Sequence, residues 1–346
     1  MLRHFLFLLG WAVSTAVVAQ PYIPGQAYFG ANNYIEYLAG NLPLIISVPH
    51  GGILLPASIP DRDCDGCSFA RDMNTQELAR AVYEAVHDQT GCWPHVIINR
   101  LHRRKLDANR DLPEAADGNP QAELAWTEFH QYIDAAKEAT QLQFNKGFYI
   151  DLHGHAHDIQ RLELGYLLTA AQLRYSDDSL NTNVLQSKSS IRFLIGHNLG
   201  HLTHAQMLRG PQSLGDLLMQ RGIPSVPSSP DPYPEIGEAY FNGGYNTARH
   251  SSLPGGSIDG VQIESHWDGF RDNTANIARS ADSLGAVLLN YFRLHYFGPL
   301  AVDLCGSLAV PPDWTPTVPP LFEIFPNPYC AEFYICHHDT SGAKWT

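Results

Sequence analysis

The sequence predicts an α/β fold, a mostly parallel sheet with helices on both faces. Short apolar runs of strand length alternate with helix-periodic segments along the chain, and strands separated by helices pair in parallel. Three of the runs also end in a chemically capable residue, at His50, His153 and Glu264. The carboxyl ends of parallel strands line one crevice, so these distant residues can meet there.

Taken in order, Leu44 to Val48 is the first strand run. Helical spacing begins after Asn74 and Thr75, with Leu78, Ala81, Val82, Ala85 and Val86 on one face, and stops near Gly91. A strand at Val96 to Ile98 follows. A long helix is expected over Gln121 to Phe144, started by Pro120, ended by Gly147, and burying Leu124, Phe129, Ile133 and Ala136. Strands are then expected at Phe148 to Leu152, Tyr166 to Thr169 and Val261 to Glu264. A last helix over Asn273 to Phe297 turns Ile277, Leu284, Val287, Leu288 and Tyr291 inward.

The ends of the chain read differently. Residues 1–19 have a basic start, a short apolar stretch and a small-residue exit, the form of a secretory signal peptide too short to span a bilayer. That divides the chain into a signal peptide (1–19), a catalytic domain (20–298) and a Pro-rich, Cys-containing tail (299–346). The tail cannot be helical and is expected to wrap the domain. A secreted, extracellular protein makes disulfides the default for the six cysteines. Cys64 and Cys67 have the spacing of half a zinc knuckle but lack a second pair, which favours a disulfide-tied loop. With 22 Lys and Arg against 35 Asp and Glu, the formal net charge is −13. Such an acidic chain is not expected to bind nucleic acid, and no segment reads as a membrane span.

Hydrolytic zinc sites use three protein ligands and keep a position for water. His50 leaves its strand into Gly51 and Gly52, which allow a sharp turn and a close approach. His153 repeats the pattern of strand, histidine and glycine, and Asp151 lies on the same side of its strand, placed to orient the ring. The third ligand is expected at Asp72, whose alternative reading is a carboxylate at a helix start. Asp61, Asp63 and Asp65 match the first half of a calcium loop whose twelfth position is Asp72, so Ca2+ is a rival occupant of that segment.

The run from Asn99 to Asp111 holds Arg100, Arg103, Arg104, Lys105 and Arg110, a local basic excess in an acidic chain. Guanidinium groups bind planar anions bidentately and Asn supplies a neutral donor, so Arg103, Arg104, Asn109 and Arg110 are candidates for holding a substrate carboxylate. Glu264 shares a strand face with Gln262 and His266, and a glutamate there can take a proton from water and pass it to a leaving amine. His197, His201 and His204 lack the glutamate of a HExxH motif and read as packing or surface residues.

The ordered set is His50-Gly-Gly, Asp72-Met-Asn-Thr, Asp107-Ala-Asn-Arg110, Asp151-Leu-His-Gly, Gly243-Gly-Tyr245 and Gln262-Ile-Glu264. It resembles the N-formylglutamate amidohydrolase family from about Leu42 to Phe297. That family is similar in fold to zinc carboxypeptidases and aspartoacylases, so the resemblance implies a mixed sheet and one Zn2+ held by His50, Asp72 and His153. It also implies Arg110 with Asn109 as carboxylate clamp, Glu264 as general base, and a substrate loop of Gly243, Gly244 and Tyr245 with Asn242 and His250 near it. Where carboxypeptidases and aspartoacylases have a glutamate three residues after the first histidine, this chain has Ile53, which leaves the third ligand to Asp72.

The expected function is a secreted zinc-dependent hydrolase that cuts the amide of an N-acyl amino acid or similar small molecule or peptide with a free carboxylate. The alternatives are a carboxypeptidase-like peptidase using the same atoms, and an inactive binding module of the same fold.

Overall fold

The structure, a computed structural model, describes residues 22–64, 66–298, 322–326 and 333–337. The segment 1–19 expected to be a signal peptide, Asp65, Cys305, Cys330 and most of the tail lie outside the described residues.

Eight strands form one mixed sheet: β1 (Ala27–Phe29), β2 (Ile35–Leu38), β3 (Leu44–Val48), β4 (His95–Asn99), β5 (Gly147–Gly154), β6 (Leu162–Gly165), β7 (Ser225–Val226) and β8 (Ile258–Ser265). Their order is β1-β2-β4-β3-β5-β8-β6-β7. The central pairs β4/β3, β3/β5 and β5/β8 are parallel, as is β6/β7. The pairs β1/β2, β2/β4 and β6/β8 are antiparallel. The mixed, mostly parallel sheet expected from the alternation is therefore present. In the tail, β9 (Phe322–Pro326) and β10 (Phe333–His337) pair antiparallel.

Strand alternation divides the apolar residues between two cores. Ile46, Val48, Ile98, Ile150, Val261 and Ile263 pack with Leu78, Val82 and Val86 of the helix Thr75–Thr90 and with Leu284 and Leu288 of the helix Thr274–Phe292. On the other face Ile45, Ile97 and Tyr149 pack with Phe129, Ile133 and Ala136 of the helix Pro120–Phe144. Burial of these side chains supplies the main driving force, at roughly 25 cal/mol per Å² of apolar surface.

Two expectations are corrected. The strand placed at Tyr166 to Thr169 runs instead over Leu162–Gly165, because Leu167 takes φ 64 and Thr169 caps the next helix with a capping box. Leu124 is 46% exposed. The inward stripe of its helix is Ala122, Ala125, Phe129, Ile133 and Ala136, and Leu124 falls beside it. The other expected elements stand within a few residues, although the helix Thr274–Phe292 gives way to a π-helical turn over Arg293–Phe297.

Candidate metal centre

His50 stands just past β3, and His153 lies near the end of the adjacent parallel strand β5. The chain turns away after His50 through Gly52, where a Cβ would collide with the Leu101 carbonyl group. Only glycine permits that approach. Asp72 is brought to the pair by its own backbone, since its amide donates to the His50 carbonyl oxygen at 3.1 Å. Thr75 Oγ1 donates to the Asp72 carbonyl oxygen at 2.8 Å, and the Gly154 amide donates to Asp72 Oδ2 at 3.1 Å.

The two imidazoles present the same atom inward. His153 Nδ1 lies 3.2 Å from Asp72 Oδ2 and His50 Nδ1 lies 3.5 Å from it. The opposite nitrogens are held by carboxylates, His50 Nε2 by Asp107 Oδ1 at 2.6 Å and His153 Nε2 by Asp151 Oδ2 at 2.9 Å. Asp151 thus has the orienting place expected for it, and Asp107 does the same for His50. His50 Nδ1 is buried with no hydrogen-bond partner among the described residues. The three side chains are all buried and their ligand atoms form one compact group.

The electrostatics favour positive charge here. Burial alone would raise the Asp72 carboxyl, but the hydrogen bond from His153 and the nearby His50 ring outweigh it and hold it well below the usual range. Asp107 is lowered in the same way, against burial, by His50 and Arg103. Burial would depress His153, yet Asp151 and Asp72 hold its pKa well above the ordinary value. Three buried carboxylates around two imidazoles, with two nitrogen donors and one oxygen donor turned inward, fit a divalent cation such as zinc.

Glu264 pairs in register with His153 across β5 and β8, and with Glu163 across β8 and β6. All three therefore point to one face. Burial is the main cause that pushes the Glu264 carboxyl up to about 8, with Asp72, Glu163 and Asp151 acting in the same sense and His153 opposing. Gln262 Nε2 donates to Glu264 Oε1 at 2.8 Å.

The basic run is less uniform than its composition suggests. Arg103 donates to Asp107 Oδ2 at 2.9 Å and is nearly buried. Asn109 is buried, with Nδ2 3.3 Å from His153 Nε2 and Oδ1 accepting the Asn246 amide at 2.8 Å. Arg110 is partly exposed and pairs with Glu114 at 2.8 Å. Arg104 is turned to Asp61 at the surface, because the tight turn after Leu101 sends successive side chains in different directions. The structure does not bring it to the histidines.

Gly244 meets Asn109 and Gln262 so closely that a Cβ would lie 2.6 Å from Asn109 Nδ2 and 3.0 Å from Gln262 Oε1. Tyr245 packs near Trp126 and His130. His250 is fully buried, stacked on His130 with Nε2 2.8 Å from His130 Nδ1. It anchors the short helix Tyr245–His250 to the helix Pro120–Phe144. For the calcium reading, Asp61 is engaged by Lys105 at 2.9 Å, the Asp63 amide is held by Asp117, and Asp72 is turned to the histidines. The segment is thus arranged as an ion-paired loop, closed by a Cys64–Cys67 disulfide.

Two contributors carry no distinct sequence signal. Asn246 donates to Asp151 Oδ1 at 3.3 Å. Arg271, buried, donates to the carbonyl oxygens of Met73, Ser265 and His155, tying together the three segments that carry Asp72, Glu264 and His153.

No family model matches the chain, and no curated protein matches it in sequence. Among solved structures it is similar to N-formylglutamate amidohydrolase from Ralstonia eutropha JMP134, at 13% identity and a TM-score of 0.45, over 73% of this chain and 94% of that one. It is also similar to a structure described as a "putative metallopeptidase" from Shewanella amazonensis SB2B, at 10% identity and a TM-score of 0.33, over 78% and 87%. No helix among the described residues is long and apolar enough to cross a membrane.

Proposed function

We propose that the chain is a zinc-dependent hydrolase that cuts an amide bond of an N-acyl amino acid or a similar carboxylate-bearing substrate. The observation that carries this reading is the convergence of His50 Nδ1, His153 Nδ1 and Asp72 Oδ2, with Glu264 in register beside His153. Zinc, when bound, supplies Lewis acidity and lowers the pKa of a water to about 7.

Within this reading the side chains divide the work. Asp107 and Asp151 hold the two rings with their Nδ1 atoms inward. Glu264 takes a proton from the attacking water and delivers it to the leaving nitrogen. Its high proton affinity comes from burial and neighbouring carboxylates, and a cation among those carboxylates acts in the opposite sense. Arg110 is assigned to the substrate carboxylate, since its pair with Glu114 is solvent-exposed and such pairs contribute only about 0.3–0.5 kcal/mol. Asn109, Gly244 and Tyr245 line the approach, and the near-buried Arg103 acts through Asp107. The form of residues 1–19 and the Cys64–Cys67 disulfide support a secreted setting.

The test is hydrolysis of a panel of N-acyl amino acids against the matching N-acyl amines, which lack the carboxylate, before and after chelator treatment. Turnover confined to the acids and lost on chelation is expected. Turnover that survives chelation overturns the metal-dependent reading, and equal turnover of the amines removes the carboxylate clamp.

A further inference from the structure

A second group of metal-ligating side chains lies one step along the sheet from the first. The chain leaves β5 at Gly154 and returns as β6 at Leu162. His155 and His157 stand in this connection, and Glu163 stands on β6 in register with Glu264. His155 is 4% exposed and Glu163 1% exposed. Their rings and carboxylate are close: His157 Nδ1 lies 2.7 Å from Glu163 Oε1, the two imidazole centroids are 4.9 Å apart, and one ligand atom from each residue falls within 4.8 Å of the others.

The far atoms of this group are pinned as in the first centre. His155 Nε2 donates to the Arg161 carbonyl oxygen at 2.9 Å, which makes Nδ1 the lone-pair nitrogen. Glu163 Oε2 accepts the Phe241 amide at 2.7 Å, which leaves Oε1 for His157. Fixing one atom of a histidine or carboxylate so that the other is aimed inward is how outer partners prepare a metal ligand. His155 Nδ1 also accepts the His157 amide at 3.1 Å, a local contact between residues two apart, and a bound cation has to displace it together with the hydrogen bond between His157 Nδ1 and Glu163 Oε1. His157 is partly exposed and provides the entry path.

We infer that His155, His157 and Glu163 form a second site for a divalent first-row transition-metal ion, with zinc the best match to two imidazoles and one carboxylate. The occupied site fastens the β5–β6 connection to β6 and to the Phe241 segment. It also sets a positive charge one strand away from Glu264. The inference does not depend on the hydrolase reading, because it concerns occupancy alone.

The experiment is metal content by elemental analysis of the full chain, stripped with chelator, reconstituted with Zn2+ and passed through a desalting column. The same measurement is made on His157→Gln, Glu163→Gln and His153→Ala. Two ions per chain are expected in the wild type, one in each single variant, and none in His153→Ala combined with His157→Gln. His157→Gln changes a side chain at the surface end of the group, and Glu163→Gln keeps the shape of a buried one, so the two check each other for loss of fold. One ion in the wild type that is kept in both His157→Gln and Glu163→Gln overturns the inference, as does an empty wild type. One ion lost in His157→Gln but kept in His153→Ala supports this site and rejects the first centre.

Discussion

His50 Nε2 lies 2.6 Å from Asp107 Oδ1, and this contact turns His50 Nδ1 toward Asp72. Asp107 therefore selects the tautomer and the angle of the His50 ring without itself joining the inward-facing group of His50, Asp72 and His153. Removing such a partner costs about 10–100-fold in metal affinity. Asp107→Asn is expected to weaken zinc binding by that factor in a chelator competition while His50 stays in place. Unchanged affinity would show that ring orientation is set elsewhere.

Glu264 is the residue on which turnover should depend without zinc binding depending on it. General acid–base catalysis contributes about 10²–10⁴-fold. Glu264→Gln keeps the shape and the acceptor for Gln262 Nε2, so kcat should fall by that factor with the zinc content of the first centre intact. Activity within a few fold of wild type would remove Glu264 from the proton path.

Gly244 makes the proposed substrate loop testable without touching a proposed metal ligand or a charge. A Cβ there would lie 2.6 Å from Asn109 Nδ2, nearer than side chains tolerate. Gly244→Ala is expected to displace Asn109 or the loop at a cost of about 1–3 kcal/mol. Because Asn109 also accepts the Asn246 amide, the effect should appear as a raised KM and a lowered kcat/KM. Kinetics identical to wild type would mean that the loop moves freely away from the centre.

The grouping of His50, Asp72 and His153 is legible in sequence because its chemistry sits at strand ends. An apolar run followed by a histidine and a glycine is visible without a structure, and strand alternation correctly put Asp151 on the side of His153. Asp107 is visible as the first residue of the Asp107-Ala-Asn-Arg110 motif but not as the partner of His50, because which carboxylate meets His50 depends on how the 100–111 turn folds. The same dependence separates Arg104, turned out to Asp61, from Arg103, turned in to Asp107. His250 carried no sequence sign that its partners would be His130 and Tyr149, since those contacts join distant helices and strands. Leu124 shows the limit of helical periodicity: a 25-residue helix has more apolar residues than one buried face can take.

Asp259 offers a test of the fold that is independent of the centre. It lies on β8 facing the opposite core, where Ser252 Oγ donates to Oδ1 at 2.7 Å, the Leu194 amide at 3.1 Å, and Tyr296 OH to Oδ2 at 3.1 Å. Burial is the largest influence and pushes its pKa from 3.8 up to about 7, against the lowering effect of those hydrogen bonds. A carboxyl raised in the folded state holds its proton longer there than in the unfolded chain. Its stabilising contribution is thus complete below about pH 4 and is lost as pH rises toward 7. Above 7 both states are ionised and the loss is constant, at most roughly 4 kcal/mol for a shift of this size. Asp259→Asn keeps the acceptor toward Ser252 and Leu194 and cannot ionise. Its urea stability relative to wild type should climb between pH 4 and 7 and then level off, with its advantage largest at pH 8. Parallel stability curves across that range would mean that Asp259 is already ionised in the folded protein, with the hydrogen bonds outweighing burial.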